Sequence, residues 1–178
     1  MSNSIPQEYQ LTEISNSNRT QLDEIGKFRL QVWNQETVVD TSYFQDGRWI
    51  EPLDFIARHW IVQKNGTIVS AARLTLHQTL EDNPDGYLWK RVAREVPLPV
   101  VHFCKLVVHP SMRGHGLGSL LNQVRLNAAK EMGAKSVILT ASEKNTRILI
   151  PMGFEDTGIR ETFPNRPGFM FRGLQYIF

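Results

Sequence analysis

Residues 107–121 read VVHPSMRGHGLGSLL. Three glycines, Gly114, Gly116 and Gly118, fall within five positions, and Arg113 stands just ahead of them. An apolar run precedes this stretch and a leucine-rich run follows it. The chemistry that such an arrangement allows is anion binding. A helix N-terminus leaves backbone N–H groups unpaired and carries partial positive charge. A loop that turns its own N–H groups inward ahead of that helix completes a cradle for phosphate. Glycine lets the anion come close to the backbone. Leu117, Leu120, Leu121 and Val124 recur at helical spacing and read as core.

Spacing separates the known phosphate loops. The nucleotide P-loop requires G-x-x-x-x-G-K-[ST]. No lysine stands near these glycines, and the fifth residue after Gly114 is Ser119. The dinucleotide fingerprint requires G-x-G-x-x-G. Its third glycine would fall at Ser119 counted from Gly114, or at Leu121 counted from Gly116. The pattern that fits is R-x-x-G-x-G, as Arg113, Gly116 and Gly118, preceded by L-x-V-H-P, as Leu106, Val108, His109 and Pro110. This stretch resembles the acyl-CoA signature of the GNAT N-acetyltransferase superfamily. The resemblance covers residues 103–133 and extends more loosely to Gly153-Phe154. The N-terminal third agrees in element order only.

The resemblance implies an acyl-CoA-dependent N-acetyltransferase that moves an acetyl group from acetyl-CoA directly to an amine of a small molecule, with no metal. It implies a diphosphate site on the backbone of Arg113, Gly114, His115, Gly116, Leu117, Gly118 and Ser119. It also implies that the backbone of Leu106, Val107 and Val108 pairs with the pantetheine arm, one N–H polarising the thioester carbonyl. Many relatives carry Glu where this chain has Cys104, and some use a histidine at the position of His102. His102 and Cys104 are therefore the catalytic candidates. An imidazole titrating near neutrality suits a base; a hydrogen-bonded structural histidine is the other reading. Cys104 reads as a reactive thiol or as buried packing, the second being favoured. His109 falls at a mainly structural position. The family's asparagine against pantetheine corresponds to Ser142, with Asn145 one turn on; Ser142 also reads as a helix N-cap. The family's acid, a tyrosine, corresponds to Leu149, which has no proton to give.

These residues need elements to hold them. Tyr9 to Ile14 reads as a strand, and a helical pattern follows from Ser17 or Asn18 through Trp33. Residues 36–57 have no clear pattern. His59–Lys64 and Thr67–His77 form a hairpin about Asn65-Gly66. Tyr87 to Arg94 reads as a short helix, Val100–Val108 as a strand, Leu117 to Met132 as a helix and Lys135 to Thr140 as a buried strand. Ser142 to Ile150 reads as a helix, and two strands follow Phe154. Alternation places His102, Cys104, Leu106 and Val108 on one face of their strand. The order predicts an α/β (α+β type) fold. The resemblance makes it a mixed, mostly antiparallel sheet of six to seven strands with helices on both faces.

Composition sets the outer limits. The chain has 178 residues, 41% hydrophobic and 21% charged, with a formal charge of +2. These values predict a single soluble domain, with residues 1–8 a loose tail. Basic residues are scattered, which argues against a nucleic-acid surface. The single cysteine makes no internal disulfide. No apolar run approaches the roughly 18–20 residues that span a bilayer. A cytoplasmic protein, free of membrane and able to form a homodimer, is expected. Arg29, Arg73 and Arg94 read as solvated or structural, with contact to an acidic acceptor the other reading; Trp33, Trp49, Trp60 and Trp89, with Phe44 and Phe55, read as mostly core, with the lining of an acceptor pocket the other reading. Three other functions stay open: a non-catalytic acyl-CoA sensor, a protein acetyltransferase, and an acyl-homoserine-lactone-synthase-like enzyme. The last rests on a faint likeness in Phe28-Arg29 to Val32-Trp33 and in Ala72-Arg73-Leu74.

Overall fold

A computed structural model describes residues 8–36, 40–44 and 46–178. The N-terminal tail expected over residues 1–8 lies, apart from Glu8, outside the described residues. The chain runs β1 (Tyr9–Ile14), α1 (Arg19–Asn34), β2 (Arg58–Lys64), β3 (Thr67–His77), α2 (Gly86–Trp89), β4 (Val100–Val108), α3 (Leu117–Glu131), β5 (Ser136–Ala141), α4 (Glu143–Leu149), β6 (Glu155–Phe163) and β7 (Arg166–Ile177). The seven strands form one sheet in the order β1-β2-β3-β4-β5-β7-β6. Only the β4–β5 pair is parallel.

Local signals explain most boundaries. Asn18 caps α1 by accepting the Gln21 N–H at 3.1 Å. The β2–β3 turn holds Asn65 and Gly66 at φ of 51° and 76°. α2 is shorter than expected. Beyond Lys90 the chain makes only three-residue turns, such as Arg91 N–H to the Leu88 carbonyl, and the helical bonding lapses.

Alternation along the strands feeds both faces. Trp60, Val62, Ala72, Leu74, Val101, Phe103, Val137 and Leu139 pack with α3 and α4. Ile61, Ala71 and Val107 pack with α1 on the opposite face, where α2 covers Val100 and Ile138. Among the described residues no helix is long and apolar enough to cross a membrane.

One irregularity matters for function. Arg73 pairs with Cys104, but Ala71 pairs with Val107, so β4 carries one residue more than β3 between these points. The surplus residue is Lys105, at φ 52° in the left-handed region. A bulge of this kind reverses which side chains face which layer. Strict alternation is thereby overturned: His102 and Cys104 face the α1–α2 side with Val107, while Leu106 and Val108 pack with the α3 cluster. β4 and β5 also part early, pairing only from Val100 to His102.

Candidate active site

The loop ahead of α3 is built as an open cup. Gly114 and Gly116 lie at φ +83° and +78°, a conformation that side chains rarely adopt. Gly116 is the N-cap of α3. Among the described residues, the backbone N–H groups of Gly114 to Ser119 have no acceptor. A Cβ on Gly116 would meet nothing within 4 Å, so the space before these amides is open. The expected cup is one residue shorter at its start. The Arg113 N–H already donates to the Pro110 carbonyl at 3.3 Å. Its guanidinium pairs with Glu36 and donates to the Val108 carbonyl. Arg113 therefore ties the loop to the segment just after α1. His115 is exposed, Leu117 is core, and Gly118 lets α3 approach Ile148 on α4.

A cavity of about 650 Å³ opens where β4 and β5 separate. Its lining comes from both faces of the sheet, Ser142 and Asn145 on one side and Trp33 and Trp49 on the other. His102, Cys104 and Leu106 border it, so three of the expected residues on β4 meet there. From Phe103 to Val108 the edge of β4 toward β5 has no strand partner. Ser142 is the N-cap of α4, accepting the Asn145 N–H at 3.4 Å. Asn145 Oδ1 in turn accepts from Asn122 Nδ2 at 3.3 Å. Leu149 is sealed in the core, away from the cavity lining.

Charge in the cavity is organised by residues that the sequence left unassigned. Asp54, fully buried, receives Arg29 at 2.8 Å and Arg73 at 3.1 Å. Arg73 also pairs with Glu51 at 3.0 Å and donates to Cys104 Sγ at 3.0 Å. Lys105, turned inward by the bulge, meets Glu51 at 2.6 Å. Burial works against both carboxylates, yet their cations prevail: Glu51 is held at about 2 by Lys105 and Arg73, Asp54 at about 2 by Arg29 and Arg73. Arg125 reaches across from α3 to the carbonyls of Arg73 and Cys104 at 3.1 and 3.3 Å.

His102 does not titrate near neutrality. Burial, then the charge of Arg73, pushes it down to about 3. It is a neutral imidazole over the physiological range. Its Nε2 lies 3.6 Å from Asp85 Oδ2, longer than a hydrogen bond but inside charge-pairing range. Burial raises the Asp85 carboxyl above the usual carboxylate range. Nδ1 of His102 has no partner among the described residues. The geometry thus offers a neutral imidazole backed by a carboxylate at the rim of a two-sided cavity.

Glu51, Asp54, Asp85, Lys105 and Arg166 escaped sequence reasoning. Glu51 and Asp54 lie in the stretch without periodicity. The available signal was Arg73, the lone charge in the apolar run of β3, which needs an acid beside it once buried.

Sequence comparison agrees with this architecture. The profile of the acetyltransferase (GNAT) family matches residues 20–149. The chain belongs to that family. Solved structures with the same fold include an acetyltransferase of the GNAT family from Streptococcus pneumoniae. It is 18% identical, with a TM-score of 0.65 over 96% of this chain and 99% of the other. An acyl-CoA N-acyltransferase from Pseudomonas aeruginosa is 17% identical, with a TM-score of 0.63 over 94% and 98%. The CoA-dependent acyl-homoserine lactone synthase BjaI, solved with SAM and isopentyl-CoA, is 14% identical, with a TM-score of 0.69 over 94% and 82%. No curated protein matches the chain.

Proposed function

We propose that the protein transfers an acetyl group from acetyl-CoA directly to the amine of a small molecule. The observation that carries this reading is the row of unbonded amides from Gly114 to Ser119 beside a cavity at the β4–β5 fork. The diphosphate of CoA lies against those amides. Pantetheine runs past Ser142 and Asn145 and pairs with the open edge of β4, and an N–H of that edge takes the thioester oxygen. The acceptor enters from the Trp33–Trp49 side.

The amine nitrogen attacks the thioester carbon. As the C–N bond forms, the nitrogen becomes cationic and far more acidic than a free ammonium. His102 takes its proton, and Asp85 steadies the imidazolium that results. When the C–S bond breaks, the same proton passes to the departing sulfur, the role that Leu149 lacks the group to fill. Cys104, fixed by Arg73, shapes the site beside them.

The test is acetyl-CoA titration of Gly116→Asp. The new side chain meets no atom, and its left-handed backbone costs about 1–2 kcal/mol of stability. Its carboxylate faces the diphosphate, so affinity falls at least 100-fold while the circular dichroism is retained. Unchanged affinity would refute the diphosphate site.

A second reading follows from the likeness to BjaI. Arg29, Asp54 and Arg73 form one buried cluster that joins both segments of the faint sequence likeness to lactone synthases. A lactone among the products would favour it; an open-chain amide supports acetyl transfer.

A further inference from the structure

The cavity is lined by four cationic side chains, Arg73, Lys105, Arg125 and Arg166, against two carboxylates, Glu51 and Asp85. Three of the four cations are already engaged. Arg73 has Glu51 and Asp54, Lys105 has Glu51, and Arg125 has two carbonyls. Arg166 differs. Among the described residues it makes no ion pair or hydrogen bond through its side chain, only ring contacts.

Those contacts hold it in place. Its guanidinium carbon lies 4.4 Å from the Trp33 ring centre, 5.5 Å from that of Trp49 and 5.3 Å from that of Phe171. A guanidinium has five N–H donors in a planar fork, and stacking on rings leaves the fork's edge free. Burial pushes Arg166 down to about 10, with the charge of Glu36 pulling the other way. It remains charged at neutral pH. Glu36 itself pairs with Arg113. In the acyl-transfer reading the CoA diphosphate takes its donors from the amides of Gly114 to Ser119, which leaves Arg166 for another anion.

We propose that the acceptor is an amine that also carries a carboxylate, an apolar amino acid or a close analogue, and that Arg166 binds this carboxylate in bidentate fashion. The proposal rests on the acyl-transfer reading above for the identity of the amine as acceptor. The surrounding Trp33, Trp49, Phe163 and Phe171 suit an apolar side chain.

The experiment is calorimetric titration of CoA-saturated protein with matched pairs: phenylalanine against phenethylamine, and leucine against isopentylamine. The wild type binds each acid at least tenfold tighter than its decarboxylated partner. Arg166→Gln brings the two within twofold, and Arg166→Lys keeps part of the preference. Equal binding of acid and amine by the wild type overturns the proposal. So does a preference that survives in Arg166→Gln, or failure of every compound to bind. Acetyl-CoA affinity is measured separately on each variant. If CoA itself fails to bind the wild type, the acyl-transfer reading falls, and the same pairs titrated into unloaded protein still decide the role of Arg166.

Discussion

Lowering the pH from 7 to 5 offers a direct test of the buried polar layer under the cavity. His59 and His102 are both buried, and burial holds them at about 4 and about 3, against 6.5 for a free histidine. In the unfolded chain each binds a proton near pH 6.5; in the fold neither does until well below 5. Over that interval the unfolded state holds more protons, so stability falls as pH falls. At pH 5 the gap is about 1.5 pH units per histidine. At 1.36 kcal/mol per unit each contributes about 2 kcal/mol of destabilisation, about 4 together. For a chain of this size that lowers the melting temperature by roughly 8–16 °C. His77, also lowered by burial, adds in the same direction, and Asp85, raised by burial, opposes it. Asp54 contributes nothing here. Its stabilisation is full above 3.8 and is lost only as pH falls toward about 2. The assay is urea unfolding at pH 7, 6 and 5. His102→Asn, which cannot titrate, reduces the fall by about half. Stability that is flat within 1 kcal/mol, or a slope identical in wild type and His102→Asn, would refute the reasoning.

Two further outcomes are expected. Asp54→Asn removes the carboxylate between Arg29 and Arg73 and leaves buried charge uncompensated, at about 3–5 kcal/mol; urea unfolding at pH 7 checks it, and a loss under 1 kcal/mol contradicts the network. His102→Ala lowers turnover by about 100-fold or more with acetyl-CoA affinity within twofold, and the pH–rate profile of the wild type shows no limb near neutrality from this residue, since its proton is held only below about 3. Full activity in that variant would end its assignment as the proton acceptor.

Much of the scaffold is legible in the chain. β3 and β4 begin and end where their apolar runs do, at Thr67, His77, Val100 and Val108. Asn18 and Ser142 cap helices as their types suggest. The glycine spacing after Arg113 identifies both the turn and its open amides, because positive φ and a bare helix N-terminus are local properties. The bulge at Lys105 left no such mark. A lysine inside an apolar strand reads as an outward-facing residue, and only pairing with β3 reveals the surplus position.

The amino-acid sequence by itself determined the hydrophobic periods, the caps and the glycine turn ahead of α3, since each depends on residues a few positions apart. The tertiary structure alone decided the charge pattern of the cavity. Arg29, Glu51, Asp54, Arg73, Lys105 and Arg166 come from α1, the segment before β2, β3, β4 and β7, and no spacing along the chain relates them. Their protonation and pairing depend on burial and on distances of a few ångströms across the fold. Those distances exist only once the sheet has closed and β4 has turned its lysine inward.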